Sequence, residues 1–195
     1  MAGGIRRHSY DEEELDVIID GLNLGRGMSF KNIAGHLPFG GCKATVTMDE
    51  LDLNNMEIMG FLAFALDSCR DMTGPDMNFP VEMSDVMIEQ GYSMQYTGGV
   101  KAKTGPTGTP TAYGVYLALL EAINFQEGVR SVAGKSVSLS GLGAVGWFMG
   151  EYLLEGGVSK LIVSDINEDV VQKFIAEHPG HDIVSCPVSE ALFQE

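Results

Sequence analysis

Two lysines twelve residues apart, Lys31 and Lys43, bracket the segment Lys31-Asn-Ile-Ala-Gly-His-Leu-Pro-Phe-Gly-Gly-Cys-Lys43, and a glycine pair runs directly into the second. An apolar, glycine-rich stretch has no packing use for a cation, and burying an unpaired ammonium is expensive. A dry environment can also draw an ammonium toward neutrality, which suits acid–base work. Downstream stand a loop carboxylate, Asp76, and a glycine run, Gly141-Leu142-Gly143-Ala144-Val145-Gly146. Cations, a carboxylate and a dinucleotide fingerprint together point to redox chemistry on a small carboxylate substrate.

Each residue also has a plainer reading. Lysines usually lie on surfaces, but Met28, Phe30, Ile33, Leu37 and Phe39 around these two argue for burial of at least one. Asp76 follows a proline and could simply cap a turn. Cys42 reads as a small residue in a tight turn, His36 as structural, and His178 and His181 as surface loop residues. A bare G-x-G-x-x-G is weak, but here a β-like run precedes it and a helical pattern follows. Gly141 permits the tight turn, Gly143 the approach of a pyrophosphate, and Gly146 close helix–strand packing. The pyrophosphate would sit at the helix N-terminus. Asp165 ends the next strand, where a carboxylate takes ribose hydroxyls and repels the extra phosphate of NADP, so the cofactor expected is NAD.

The elements that must position these groups follow from the pattern. Residues 11–28 read as an amphipathic helix, with Asp11 as cap, Glu14 at the capping-box position and an apolar stripe of Leu15, Ile18, Ile19 and Leu22; Gly25 and Gly27 weaken its end. Residues 44–48 read as a strand. About residues 54–69 form a helix apolar on more than one side, hence buried. Residues 73–80 are a loop carrying Asp76, and 98–110 are a glycine- and lysine-bearing loop. Thr109 caps a helix that starts with Pro110 and runs to about Asn124. From Lys135 the order becomes strand (136–140), helix (about 144–154), strand (160–164), helix (about 167–177) and strand (about 182–186). That is half of a doubly wound sheet, whose complete form has about six strands.

At 195 residues, with 45% apolar and 20% charged residues, the composition is that of a globular protein of one or two domains. A net charge of −15 leaves no basic stripe for nucleic acid. The apolar runs are too short to span a bilayer, and the start lacks the apolar core of a signal peptide. Three cysteines without metal-ligand spacing read as reduced thiols, and the expected location is the cytoplasm.

Seven spaced segments resemble one known group, the glutamate/leucine/phenylalanine/valine dehydrogenases, and most nearly its leucine-type branch. They are Gly3-Gly-x-Arg6, Tyr10-Asp, Arg26-Gly-Met-x-x-Lys31-Asn, Leu37-x-x-Gly-Gly-x-Lys43, Pro75-Asp76-Met-Asn, Thr111-Ala-Tyr-Gly and Leu161-Ile-Val-x-Asp165-Ile-Asn. The resemblance implies that Lys31 grips the substrate α-carboxylate, Lys43 polarises the reacting carbon's oxygen, and Asp76 shuttles protons to and from the amine. It further implies that Gly41 meets the substrate through its backbone and that Thr111 contacts the nicotinamide end of NAD, beside Gly141, Gly143, Ala144, Val145, Gly146 and Asp165. The implied reaction is reversible oxidative deamination of an L-amino acid by a homo-oligomer. Glutamate enzymes of this family usually carry a lysine before the first Gly-Gly pair. Here that place is Ala2, which favours an apolar side chain.

The chain departs from the family pattern at Cys42, at Ala44-Thr45 and at Asn78-Phe79-Pro80. Measured against the family it reads as a fragment lacking N- and C-terminal parts. The expected architecture is α/β: residues 1–109 form a substrate-binding and dimerisation domain, and 110–195 a partial Rossmann-type domain, with substrate in the cleft between them. A glutamate dehydrogenase and an inactive NAD-binding fragment are the alternatives.

Overall fold

A computed structural model describes residues 1–69, 73–89 and 107–193, and the chain divides into two compact units, Met1–Pro106 and Thr107–Glu195. Each is α/β. Residues 98–106 of the expected glycine- and lysine-bearing loop lie outside the described residues.

In the first unit, strand β1 (Ile5–His8), helix α1 (Glu14–Ala34) and strand β2 (Ala44–Thr47) follow one another. The strands pair in parallel, Ile5 opposite Ala44 and His8 opposite Thr47, and parallel neighbours need such a crossover helix. Asn55 caps helix α2 (Met56–Ser68), its side chain accepting from the amides of Glu57 and Ile58, and helix α3 (Val81–Glu89) follows. The core joins Ile5, Met48, Leu53, Met59, Leu62, Ala63, Phe79 and Met87. Burying each of the large side chains contributes about 1.5–3 kcal/mol.

Helix α1 differs from its sequence reading in three ways. It starts at Glu14 after Glu13, with no side-chain cap, so Asp11 lies ahead of it. Gly25 and Gly27 do not end it. And its apolar stripe faces out: Leu15, Ile18, Ile19 and Leu22 are exposed, Leu22 at 71%, while Val17 and Asn32 are the buried positions. The reason is steric. Gly21 and Gly25 lie on the side turned to Thr45 and to the backbone of Cys42 and Lys43, where larger residues would hold the helix off the strand. Helix α2 is likewise buried on one side only, through Met59, Leu62 and Ala63, with Phe61 and Phe64 exposed.

The second unit opens with helix α4 (Gly108–Glu127), whose N-cap is Thr107 rather than Thr109, because the helix is already formed at Gly108. Strand β3 (Ser136–Ser140), helix α5 (Gly146–Glu155), strand β4 (Lys160–Ser164), helix α6 (Glu168–Glu177) and strand β5 (Ile183–Ser185) follow. The sheet is parallel in the order β3-β4-β5. Strand β4, buried along nearly all its length, is its centre, as an uninterrupted apolar run dictates. Phe174 of α6 meets Trp147 of α5 edge-on, ring centroids 5.0 Å apart. Among the described residues no helix is long and apolar enough to cross a membrane.

Between β3 and α5 the chain turns through Gly141 at φ +92, a left-handed value that only glycine adopts freely. A Cβ on Gly146 would overlap the carbonyl oxygen of Gly141. Gly146→Ala should therefore cost about 1–3 kcal/mol, as overpacking does, and lower the melting temperature of this unit by several degrees. Thermal unfolding followed by the emission of Trp147, the one tryptophan of the chain, measures this directly; an unchanged midpoint would contradict the steric argument.

Candidate functional site

In the first unit the site is built on the turn that leads into β2. The amide of Ala2 donates to the Gly40 carbonyl at 2.9 Å, and that of Cys42 to the Ala2 carbonyl at 3.2 Å. Asn32, buried in α1, reaches back with its side-chain amide to the carbonyls of Gly40, at 3.2 Å, and Ala2. The amide of Gly41 donates to the Ser29 hydroxyl at 3.2 Å. A Cβ on Gly41 would fall on the amide nitrogen of Ser29, so this turn rests on the helix backbone itself. The fold thus brings Ala2 and Gly41 side by side as a parallel bridge.

Lys43 leaves this turn with its side chain 6% exposed, and its Nζ pairs with Oδ2 of Asp76. Asp76 arrives on a loop that runs beside β1: the Ile5 amide donates to the Gly74 carbonyl at 2.8 Å, and the Asp76 amide to the Ile5 carbonyl at 3.0 Å. The loop's chain reversal passes through Asn78 at φ +61, a value Asn tolerates better than most residues. Gly4 leaves the space the cation occupies, for a Cβ there would stand 3.3 Å from Lys43 Nζ.

Arg6 joins the pair. Its Nε donates to the same Asp76 oxygen at 3.1 Å, and its Nη1 reaches both oxygens of Asp20, at 3.1 and 3.2 Å. His8 extends the cluster, with Nδ1 2.7 Å from Glu12 Oε2 and Nε2 3.2 Å from Asp20 Oδ2; the latter approach lacks hydrogen-bond geometry. Burial pushes the Asp76 carboxyl up, but the Lys43 hydrogen bond, the charges of Lys43 and Arg6, and the Met77 amide outweigh it and hold the group below its usual range.

The two lysines are not equivalent. Lys31 is exposed in the last turn of α1 and makes no ion pair among the described residues. The apolar neighbours that suggested a dry setting, Phe30, Ile33, Leu37 and Phe39, are themselves exposed. Only Lys43 is buried. Asn32, Asp20 and His8 take places in the site to which no motif assigns a role; for Asn32, the signal is a polar residue on the helix that precedes a glycine turn.

In the second unit the glycine turn and the end of β4 are tied together. The Gly141 amide donates to the Ser164 carbonyl at 2.7 Å. Asp165 accepts from the Leu142 amide at 2.6 Å through Oδ2 and from the Asn167 amide at 2.9 Å through Oδ1. The amides of Asn167, Leu142 and Ile166 hold its carboxyl below the usual range against a small opposing effect of burial. A cavity of about 310 Å³ lies here, lined by Ser140, Gly141, Asp165, Ile166 and Val188. A Cβ on Gly143 would meet nothing within 4 Å, so the space before the turn is open. Gly108 packs on Ala144, close enough that a Cβ there would overlap its carbonyl oxygen. This brings the first turn of α4, with exposed Thr111, to the same turn as Ala144 and Val145.

Residues 1–101 match the family model described as Glu/Leu/Phe/Val dehydrogenase, dimerisation domain. The chain is 36% identical over 188 residues to leucine dehydrogenase of Thermoactinomyces intermedius, covering 91% of this chain and 50% of that protein. It is 31% identical to valine dehydrogenase of Streptomyces virginiae, covering 98% of this chain and 53% of the other. The crystal structure of L-tryptophan dehydrogenase from Nostoc punctiforme superposes with a TM-score of 0.65 at 25% identity, over 100% of this chain and 53% of that one. The chain spans about half the length of these relatives.

The lowered Asp76 pKa has a testable consequence. A carboxyl with a lower pKa folded than unfolded adds stability that is fully present above its unfolded pKa, about 3.9. That contribution is lost as pH falls through the folded value. Urea unfolding between pH 6 and pH 3 should show declining stability, and Asp76→Asn should flatten the decline while lowering stability at pH 6. Parallel pH profiles for the two proteins would show that Asp76 contributes nothing to it.

Proposed function

The chain belongs to the Glu/Leu/Phe/Val dehydrogenase family, and on that premise we propose that it carries the substrate and cofactor residues of an NAD-dependent L-amino-acid dehydrogenase acting on apolar side chains. The observation that supports this most is the buried Lys43 paired with Asp76 on a turn seated against helix α1. A nearly buried ammonium beside a carboxylate is a costly arrangement for stability alone and a useful one for moving protons.

In this reading Lys43 stabilises negative charge on the oxygen of the carbinolamine, and Asp76 accepts and returns protons at the substrate nitrogen. The carboxylate is a weak base while both cations hold it. As Lys43 turns its charge toward the substrate oxygen, Asp76 becomes more basic, so the two steps are coupled electrostatically. Gly41 offers backbone to the substrate. Lys31 lies on the stretch of α1 whose neighbours Ser29 and Asn32 clamp the Gly40–Gly41 turn, and as an exposed ammonium it is assigned the α-carboxylate.

The second unit fits NAD: its three parallel strands match the first half of a Rossmann-type sheet, the space before Gly143 is open, and the cavity at Asp165 is lined by Gly141, Ile166 and Val188. Gly141, Gly143, Ala144, Val145 and Gly146 would hold the pyrophosphate, Asp165 the adenosine ribose, and Thr111 the nicotinamide end. When bound, NAD accepts the hydride from the substrate Cα. The Asp165 oxygens accept from backbone amides in the structure and keep lone pairs for further donors. Within the family reading the protein assembles as a homo-oligomer, in line with the dimerisation-domain match.

NADH formation by the purified protein should be seen with leucine, valine and phenylalanine and be weak with glutamate. Lys43→Ala and Asp76→Asn should each lower kcat/KM by about 10²–10⁴-fold, the span of lost acid–base catalysis. Unchanged turnover in Lys43→Ala would overturn the proposal. Ala2 sets the side-chain preference in this reading. Ala2→Lys should move the ratio of kcat/KM for glutamate over leucine up by about tenfold, or about 1.4 kcal/mol, and a constant ratio would remove Ala2 from the specificity site.

A further inference from the structure

We propose that Arg6 is a positioning residue for Asp76, locked in place by Asp20. The inference rests on Asp76 as the proton-transfer group of the reading above, and it assigns a task to a residue that neither catalysis nor substrate binding has used. Three observations carry it. Arg6 Nε and Lys43 Nζ meet at one carboxylate oxygen, Oδ2. The other arm of Arg6 is held by both oxygens of Asp20 on α1, which fixes the guanidinium plane. And β1 lies hydrogen-bonded along the Asp76 loop, with Ile5 bonded to Gly74 and Asp76, and Arg7 to Met77. Arg6 therefore reaches Asp76 from a rigid strand.

The consequence is a division of labour between two cations. Lys43 must be free to turn its charge toward a reacting oxygen. If it alone held Asp76, the carboxylate would lose its orientation at that moment. Arg6 is braced at its far end by Asp20, so it keeps Oδ2 pinned and the carboxylate oriented. A planar fork that bridges two carboxylates is a task for which Lys is no substitute. Among the described residues, the titratable and charged groups that bear on Asp76 are Lys43 from the turn before β2, Arg6 from β1 and, behind Arg6, Asp20 from α1 with His8 and Glu12.

The test is a carbon-13 NMR titration of side-chain carboxyls in aspartate-labelled protein, with the Asp76 signal assigned by its loss in Asp76→Asn. In Arg6→Gln the Asp76 midpoint should rise by about one unit, the lower end of what one adjacent opposite charge does. In Asp20→Asn, which keeps the arginine and removes its brace, it should rise by less. Arg6→Lys should restore the midpoint only in part. Circular dichroism checks that each variant is folded, and Asp20→Asn decides the matter if Arg6→Gln does not fold. An unmoved midpoint in a folded Arg6→Gln or Asp20→Asn overturns the proposal, as does full restoration by Arg6→Lys, since charge alone would then suffice. The titration needs no turnover, so a wild-type chain that makes no NADH would sink the proposed function and leave the Arg6 result readable.

Discussion

The first unit depends on contact between backbones. Helix α1 lies so close to the turn before β2 that Gly41 has no room for a Cβ against Ser29, while a Cβ on Gly21 would stand 3.0 Å from the Thr45 hydroxyl oxygen. That closeness makes Lys43 buried rather than splayed, because the turn carrying it is pressed under the helix and stitched there by Asn32 and Ser29. With the turn fixed, β2 takes its register against β1, the loop along β1 takes its place, and the ion cluster of Lys43, Asp76, Arg6 and Asp20 is assembled from four segments of the chain. Dispersion and backbone hydrogen bonds supply the adhesion; the small residues supply the distance.

The second unit repeats the device with other residues. Gly146 packs on Gly141 and Gly108 on Ala144, which gathers the starts of α4 and α5 at one end of the sheet. In both units glycine brings a helix and a turn to a separation at which polar groups from different elements meet. The ionic contacts follow from that approach and do not cause it, since the cost of taking charges out of water offsets much of their attraction.

Much of this was legible in the sequence. The strand, turn and helix order after Lys135 reads from alternation and glycine spacing alone, and the ends of β3, β4 and α6 fall where the pattern puts them. The Lys43 and Asp76 pair was also visible, though as two residues rather than as a contact. What misled was helix α1. An apolar stripe of Leu15, Ile18, Ile19 and Leu22 ordinarily marks the inner face, yet here the inner face is Gly21 and Gly25, which carry no hydropathy signal. The apolar neighbours of Lys31 face outward with it, so the burial expected of at least one of the two lysines falls to Lys43. The clamp by Asn32 and the bridge by Arg6 were hidden because a polar residue declares nothing of its partners until a third element is placed beside it.

Asp165 shows how a residue proposed to meet a cofactor becomes hard to exchange. Its Oδ2 receives the Leu142 amide of the glycine turn, and its Oδ1 the Asn167 amide at the start of α6. The carboxylate is thus a strut between the turn, the end of β4 and the next helix, whatever ligand it also meets. A single substitution meant to alter cofactor preference would remove the strut together with the reader, and the new residue would need to supply two acceptors at the same places. Under the proposed reading, a change of preference would fall more readily to neighbouring positions such as Ile166, whose exposed side chain braces nothing.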